Sequence, residues 1–380
     1  MLNKEKVFVP GTIDERDASI ALLQIPGLGN KRFFRLREGF GSALDVWRNA
    51  TKDNLSSYVP PRVASSILMG PNLKKLTQLK NTLRDMGAWL MFFDDPDFPR
   101  SLKQIDNPPA LIFGMGHRKS LCEKCIAIVG SRKASTYGLK VCAYLAGALV
   151  KEGFTIVSGL ALGIDSCAHK AALDYGGLTV AVKGCGLDVG YPQKNVRLSH
   201  RIVDSGAVIT EFFPGVIAEP GNFPARNRII SGLSLGVIVV EAGVKSGSLI
   251  TAYLALEQGK EVMAVPGNIY SYGSKGCHKL IKEGAALVES VNDVLDALNL
   301  ASVADPGKGG DENLFTRNAL SQEAAIIVDK LQAGPQHIDE IASGCSISVS
   351  RVASILLELE LKNVTTALGN GMYSLKNIDE

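Results

Sequence analysis

The chain has 380 residues, of which 46% are apolar and 21% are charged, a composition typical of folded domains and not of disordered chains. Its formal net charge of only +3 excludes binding of polyanions through an overall basic field, so any such binding must come from a local patch. No apolar run approaches the roughly 18 residues of a membrane span, the amino terminus lacks the apolar core of a signal peptide, and the seven cysteines are mostly isolated. We therefore expect a reduced, cytoplasmic protein that does not associate with a membrane.

Residues 14–85 are predicted to form short helices within a helical domain that spans 1–87. Asp14 or Asp17 can cap the first helix. Its apolar residues are Ile20, Leu22, Leu23 and Ile25. A Pro-Gly-Leu-Gly turn at 26–29 leads into a second helical pattern. The two together are equally compatible with a helix-hairpin-helix, whose turn N–H groups contact a DNA backbone, and with a plain helical hairpin.

Residues 88–300 are predicted to form the central domain. A Pro-rich extended segment over 88–118 contains one strand-like run, AWLMFF. From Cys125 to about Leu298, strand-like runs alternate with helical stretches. The strand-like runs are CIAIVG, FTIVSG, LTVAVKG, AVITEF, GVIVVEA and EVMAVPG. Continuous apolar strands separated by helices indicate an α/β fold with a Rossmann-like parallel sheet, covered on both faces, which binds ligands at the carboxyl ends of its strands.

Residues 301–313 are a Gly-rich linker, and 314–380 are predicted to form a winged helix. Three helical patterns, the first starting at Ser321, precede two strands that turn at Asn370-Gly371. Winged helices commonly bind DNA, but the expected recognition helix, SVSRVASILLELE, has one Arg and two Glu. Because phosphate contacts require Lys or Arg, docking to a protein is at least as compatible with this helix.

Two dense clusters follow predicted strands, FPARNRIISG at 223–232 and VIVVEAGVKSGSLITA at 237–252. The first cluster supplies Phe223, Arg226, Asn227 and Arg228. The second passes from a strand through the turn Ser246-Gly247-Ser248 into a helix, whose N–H groups and positive end attract an anion. Phe223 is either a core residue or, slightly favoured, an exposed stacking platform. Together the clusters indicate binding of a nucleic acid or a nucleotide.

The segment IAIVGSRKASTYG at 126–138 is a strand followed by a glycine turn. Gly130 lets the backbone approach a ligand, and Ser131 and Arg132 stand at the strand end. Arg132 either binds a phosphate or covers the sheet end, and its position favours the phosphate. The turn lacks G-x-G-x-x-G, and GVKSGS lacks the lysine and glycine spacing of a P-loop. We therefore expect neither a dinucleotide cofactor nor ATP hydrolysis.

A second glycine turn, with Gly159 and Gly163, enters the helix of SGLALGIDSCAHKAAL. Asp165 can cap this helix, and His169 lies one turn later on the same face. An Asp–His pair can act as a general base, but no Ser or Cys nucleophile stands with it in a recognised arrangement. We therefore predict no catalytic residue, with Asp165 as a cap and His169 as a hydrogen-bonded wall of the groove.

Lys194 either meets a phosphate or is solvated, and Glu241 can anchor one of the arginines. The Cys122–Cys125 pair lacks the second ligand pair that zinc requires, so two unreactive thiols are favoured over a redox pair. No metal and no cofactor are expected.

These motifs, in order, resemble the DNA-processing protein A (DprA/Smf) family. They are GSR (130–132), SGLALGID-x3-H (158–169), AVKGCGLDVGYPQKN (181–195), FPARNRIISGLS (223–234), EAGVKSGSLITA (241–252), AVPGN (264–268) and LIKEGA (280–285). The resemblance covers the core, the helical amino-terminal part (SAM/helix-hairpin-helix-like) and the winged helix. It implies a cytoplasmic homodimer without enzymatic activity that binds single-stranded DNA. Such a protein protects incoming strands in natural transformation and homologous recombination, and helps to load a RecA-type recombinase.

Carried onto this chain, the resemblance implies a DNA groove with a supporting shell. The groove residues are Gly130, Ser131, Arg132, Gly159, Gly163, Lys194, Phe223, Arg226, Asn227, Arg228, Ser246, Gly247 and Ser248. The supporting residues are Asp165, His169, Glu241 and Thr251. Lys183 departs from the family, which is usually apolar there, and either adds a groove charge or is merely exposed.

Two rival functions are compatible with parts of the chain. A nucleoside-monophosphate phosphoribohydrolase of the lysine-decarboxylase-like (LOG) class has a related core and a catalytic Glu after its glycine turn, but Thr251 stands at that position here. A winged-helix regulator of duplex promoters is disfavoured by the acidic recognition helix.

Overall fold

The fold is described from a computed structural model, which describes residues 13–121, 124–300, 322–331, 334–345, 347–361, 364–369 and 371–375. The chain divides into two compact units, Met1–Ala304 and Asp305–Glu380. Cys122, the 301–313 linker, the helix start at Ser321 and the turn residue Asn370 lie outside the described residues. The boundaries proposed at 87/88 and 313/314 stay predictions.

The amino-terminal part of the first unit is helical. Its helices are α1 (Glu15–Leu23), α2 (Asn30–Phe40), α3 (Ala43–Asn49), α4 (Lys52–Leu55), α5 (Pro61–Leu68) and α6 (Leu73–Asp85). The Asp14 carboxylate accepts from the Asp17 N–H at 2.8 Å, so Asp14 is the cap of α1. The helix stops before Ile25, which nevertheless packs against the buried cluster around Leu22 and Leu36.

A nine-stranded sheet forms the centre of the first unit. Its strands are β1 (Trp89–Phe92), β2 (Leu111–Gly116), β3 (Cys125–Val129), β4 (Thr155–Ser158), β5 (Thr179–Val182), β6 (Ala207–Thr210), β7 (Gly236–Val239), β8 (Glu261–Ala264) and β9 (Ala286–Leu287). The order is β1-β2-β6-β5-β4-β3-β7-β8-β9. Strand β2 pairs antiparallel with β1 and β6, and the other neighbouring strands pair in parallel. The α/β, Rossmann-like prediction is confirmed, with β1 and β2 extending the parallel core.

Helices between the strands cover the sheet. They are α7 (Arg100–Lys103), α8 (Thr136–Lys151), α9 (Ile164–Asp174), α10 (Val196–Ser205), α11 (Asn222–Leu233), α12 (Gly247–Glu257), α13 (Lys275–Lys282) and α14 (Val291–Ala297). Separate apolar clusters lie on the two faces of the sheet, one including Val129 and Ile230 and the other including Ile128 and Leu145. On one side of β3 the sheet continues with β4, β5 and β6, and on its other side with β7 and β8. The strand order therefore reverses between β3 and β7. A crevice for a ligand is expected at that reversal.

The second unit has its own core. Its elements are α15 (Gln322–Leu331), β10 (Gln336–His337), α16 (Ile338–Cys345), α17 (Val349–Leu361), β11 (Thr365–Gly369) and β12 (Met372–Leu375). Three helices and the β11–β12 hairpin confirm the winged helix, and β10 adds a third strand beside β12. Arg351, the basic residue of α17, forms an ion pair with Glu323 at 2.8 Å.

Within the described ranges, no single helix is long and apolar enough to cross a membrane. Helix α16 and the residues Val349–Glu360 of α17 reach that length and composition as a pair, but the pair is bent by 111°.

Candidate nucleic-acid interface

A cleft of about 890 Å³ opens at the carboxyl ends of β3 and β7, where the strand order reverses. Three segments contribute most of its walls: 130–133 after β3, 241–251 after β7, and the first turns of α11. This is the edge at which the sequence predicts a ligand. Because the segments belong to different crossovers, the sheet brings together residues that are more than 100 positions apart along the chain.

Phe223 lies in the cleft as a half-buried ring beside two other groups. The Arg132 guanidinium carbon lies 5.3 Å from the ring centroid, within the range of a cation–π contact. The Tyr191 ring lies on it at 5.6 Å, tilted by 36°. A Cβ at position 184 would lie 2.9 Å from Phe223 Cδ1, so Gly184 lets the ring settle close to the end of β5. Phe223 therefore borders the cleft instead of filling a core.

Arg226 is buried and binds the ends of two strands. Its Nη1 donates to the Gly159 carbonyl at 2.7 Å and to the Val182 carbonyl, and its Nε donates to Asn227 Oδ1 at 3.1 Å. Burial lowers the pKa of Arg226 to about 10, opposed by the charge of Asp165. The side chain therefore stays cationic near neutral pH and fixes α11 to the sheet beneath the cleft.

Arg228 points to a different neighbour. It forms an ion pair with Glu211 at 2.5 Å, in which both side chains are about nine-tenths buried. Asn30, the first residue of α2, donates to the same Glu211 oxygen at 3.0 Å. Arg228 thus connects α11 to the amino-terminal helices and does not line the cleft.

Glu241 is not the partner of these arginines, so that part of the prediction is wrong. Its Oε2 accepts from the Ser135 N–H at 3.0 Å and from the Ser135 hydroxyl at 2.8 Å. Its carbonyl accepts from the Ser131 N–H at 2.7 Å. Glu241 therefore holds the turn that carries Arg132.

Asp165 lines the floor of the cleft and His169 lies outside its lining, and both support the fold. The N-cap of α9 is Gly163, and Asp165 instead accepts from the N–H groups of Gly159 and Ala161 at 3.2 and 3.3 Å. Burial raises the pKa of Asp165, and the charge of Arg226 opposes the shift. The N–H of Gly159 is thus turned toward a carboxylate and not toward a ligand.

His169 is fully buried, with Nδ1 2.6 Å from the Thr179 hydroxyl. Burial, and secondarily the charge of Arg226, lower its pKa to about 3. The imidazole is therefore neutral at physiological pH. It is hydrogen-bonded as predicted, but it supports the sheet and does not form a wall of the cleft.

The turn at Ser246 opens α12 toward the cleft, as the sequence predicts. Ser246 is the N-cap, and its hydroxyl lies 2.8 Å from that of Ser248. Asn227 Nδ2 donates to the Gly247 carbonyl at 3.5 Å, which joins α11 to this turn. Thr251 is buried one turn further along and also lines the cleft.

Of the described residues that line the cleft, Arg132, Lys133 and Lys245 are exposed cations. Sequence reasoning missed the two lysines, although their positions just after β3 and β7 could have revealed them. Lys194 is exposed on the short 3-10 turn Gln193–Asn195, outside the cleft lining.

Lys183 is neither a groove charge nor an exposed residue. Its Nζ donates to the carbonyls of Leu187 and Val189 at 3.0 and 2.7 Å, and burial lowers its pKa. Lys183 therefore closes the loop that leads to Tyr191. Among the described residues, no group of three or more His, Cys, Asp or Glu could hold a metal ion.

Comparisons with known proteins agree with this architecture. Residues 89–299 match the family model of DNA recombination-mediator protein A, and residues 316–371 match that of the DprA winged helix domain. Protein Smf of Synechocystis sp. is 36% identical over 375 residues, which cover 90% of this chain and 94% of that protein. DNA processing protein DprA of Streptococcus pneumoniae is 49% identical over 201 residues, 53% of this chain and 71% of that protein.

Two solved structures are similar. The X-ray structure of DNA processing protein A from Streptococcus pneumoniae matches with a TM-score of 0.66 and 38% identity, covering 74% of this chain and 97% of that one. A structure of DNA processing protein A from Helicobacter pylori, described for its single-stranded DNA binding mode, matches with a TM-score of 0.50 and 30% identity. It covers 55% of this chain and 95% of that one.

Proposed function

Because the chain belongs to the DprA/Smf family of DNA-processing proteins, we propose that it binds single-stranded DNA in the cleft at the ends of β3 and β7. The observation that carries this proposal is the half-buried Phe223 ring beside Arg132 and Tyr191 in the cleft. An aromatic ring beside exposed cations offers a stacking surface for a base and charge for the phosphates.

The arrangement favours unpaired strands. Bases of a single strand are free to leave the stack and lie on Phe223, whereas those of a duplex are paired. Arg132, Lys133 and Lys245 supply positive charge along the cleft, and the N-terminus of α12 at Ser246 adds a partial positive charge. Arg226 contributes its charge from beneath the cleft while its donors remain bound to protein carbonyls.

The strand is held and not cut in this proposal. His169 is neutral, enclosed and bonded to Thr179, so it is poorly placed to activate water. Thr251 occupies the position at which a phosphoribohydrolase would carry its acid. In the cytoplasm, a homodimer would align two clefts, and one long strand could engage both with increased avidity. Protection of incoming strands and delivery to a RecA-type recombinase complete the proposed role.

Mobility shift or anisotropy with oligo-dT tests the site residues. Arg132→Ala is expected to weaken binding by about 1–3 kcal/mol through loss of a charge-assisted phosphate contact.

Phe223→Ala is expected to weaken oligo-dT binding by about 1–3 kcal/mol because the base stack is absent. The salt dependence of binding distinguishes the two variants. Loss of one phosphate contact reduces the magnitude of the slope of log affinity against log salt concentration by about 0.7, whereas loss of a base stack leaves that slope unchanged.

The opposite edge of the sheet supplies matched controls. Lys151, at the carboxyl end of α8, lies 5.5 Å from the Tyr175 ring centroid, a second exposed cation–aromatic pair. Lys151→Ala and Tyr175→Ala should bind oligo-dT like the unmodified chain. If folded Arg132→Ala and Phe223→Ala do so too, the cleft is not the binding site. Release of free base from AMP or CMP would instead favour the phosphoribohydrolase.

A further inference from the structure

A second pocket, of about 480 Å³, adjoins the cleft on the β8 side. Glu241 lines both cavities and marks where they meet. The segment 271–274 runs between them, with Tyr272 lining the cleft and Ser271 lining the second pocket. The two cavities therefore follow one another along the carboxyl edge of the sheet.

Among the described residues, three exposed tyrosines belong to the segments that form this second pocket, and Tyr137 itself lines it. Tyr270 is 89% exposed, Tyr272 63% and Tyr137 51%. The Tyr137 hydroxyl donates to the Pro266 carbonyl at 2.9 Å, which fixes its ring at the pocket wall. Exposed aromatic rings in fixed positions are the groups on which unpaired bases stack.

Tyr272 is held by its backbone. The Ala242 N–H donates to the Gly273 carbonyl at 2.7 Å, and the Gly276 N–H donates to the Ala242 carbonyl at 2.7 Å. A Cβ at position 243 would overlap the Tyr272 ring, so Gly243 lets the ring lie against the chain after β7. The ring is thus positioned before any ligand binds.

The path from Phe223 to Tyr272 has a defined span and charge. Phe223 lies at the end of β5, and Tyr272 lies against Gly243 just after β7, three strand spacings away in the sheet order. At about 4.8 Å per spacing this is roughly 14 Å. Lys245 and Tyr272 both line the cleft, and exposed Lys275 begins α13 directly after the segment. The carboxylate of Glu241 is buried and bonded to Ser135.

We infer that the end of the cleft that adjoins the second pocket is a base-stacking subsite, in which Tyr272 receives a further base of the same single strand that Phe223 holds. The inference rests on the proposed function. It makes the binding site longer than the surroundings of Phe223 alone, so that affinity depends on oligonucleotide length through Tyr272.

A length series tests this. Fluorescent oligo-dT of about 4 to about 16 nucleotides, the range of single-strand site sizes, is titrated with the unmodified chain, with Tyr272→Ala and with Tyr272→Phe. Tyr272→Ala should bind the shortest oligonucleotide normally and the longer ones at least about fivefold more weakly, the equivalent of one stacked base. Tyr272→Phe, which keeps the ring, should retain full affinity at every length, and Tyr175→Ala is the control for an unrelated exposed tyrosine.

The outcomes separate the subsite from the proposed function. If Tyr272→Ala binds every length like the unmodified chain while Phe223→Ala is impaired, the subsite is overturned and the cleft stands. If Tyr272→Ala changes the oligomeric state in size-exclusion chromatography at unchanged affinity, the tyrosines form a protein interface and the subsite is likewise overturned. If the unmodified chain binds no oligo-dT at all, the proposed function itself fails.

Discussion

At the floor of the cleft, Arg226 and Asp165 form with His169 a buried polar layer whose charges are set by their surroundings. Arg226 donates to two carbonyls, Asp165 accepts from two backbone N–H groups, and His169 meets Thr179. Buried polar groups persist when such partners are present, because an unpaired one costs about 1–3 kcal/mol. The layer therefore positions the strand ends and keeps their geometry near neutral pH.

His169 makes the stability of the folded chain depend on pH. Its folded pKa of about 3 lies below the ordinary value of 6.5, so the unfolded chain binds a proton first as the pH falls. The stability that the neutral His169 side chain contributes to the folded chain is fully present above about pH 6.5 and is lost progressively as the pH falls toward 3. Between pH 7 and pH 5, we expect this group to remove about 2 kcal/mol from the free energy of unfolding.

Denaturant unfolding of the unmodified chain and of His169→Gln at the two pH values measures this contribution. Gln can still bond to the Thr179 hydroxyl but does not titrate, so the gap in stability between the two proteins should narrow by that amount at pH 5. A gap that stays constant would show that His169 is not the group whose protonation matters.

Single-residue roles were only partly predictable from the sequence. Arg226, Asn227 and Arg228 are consecutive on α11, so their side chains project about 100° apart. One therefore reaches the strand ends, one the turn of α12, and one Glu211. Their composition indicated charge at this edge, but only the packing of α11 decides which partner each side chain meets. Arg132 follows a strand directly, and its exposure at the cleft could be predicted.

At the scale of elements, the N-terminus of α8 supports the turn that carries Arg132. Ser135 accepts from the Gly138 N–H at 3.0 Å and donates to Glu241 at 2.8 Å. Ser135→Ala should lower the free energy of unfolding by about 0.5–2 kcal/mol through loss of the cap. It should also weaken oligo-dT binding, because the 131–135 turn loses one of its bonds to Glu241 and keeps only those made by the backbone N–H groups of Ser131 and Ser135.

Ser42 offers the matched comparison. It caps α3 and accepts from the Asp45 N–H at 3.0 Å, far along the chain from the cleft segments. Ser42→Ala should destabilise the chain by a similar amount in thermal or denaturant unfolding and leave affinity unchanged. Equal affinities for the two variants would mean that the α8 cap does not position the DNA-binding turn.

The elements themselves were largely predictable, for a physical reason. Six strands of the sheet are short apolar runs bounded by glycine or polar residues, a pattern that buried parallel strands impose on a sequence. Strand β2 and its antiparallel pairing with β6 were not predicted, because pairing between distant segments leaves no local periodicity. Strand β9 has only two residues, too few for any pattern.

Over the whole molecule, the two units have separate hydrophobic cores. The clusters of the first unit extend from Ile13 to Leu295, and that of the second unit from Ala324 to Leu359. The net charge of +3 is small, so attraction to DNA depends on where the cations stand. In the first unit Arg132, Lys133 and Lys245 line the cleft, whereas in α17 the arginine is paired with Glu323.

This distribution predicts that the first unit alone accounts for DNA binding by one cleft. A chain that ends at Ala304 should stay folded by circular dichroism and bind a short oligo-dT within about twofold of the full chain, as expected for independent sites. A short oligonucleotide is needed because a long one could engage two clefts and report on assembly instead. A folded, truncated chain with much weaker affinity would place a DNA contact in the winged helix. Arg351 of the winged helix could make such a contact only if its ion pair with Glu323 opened. Glu323→Gln, which removes that pair, should then increase the affinity of the whole chain for oligo-dT.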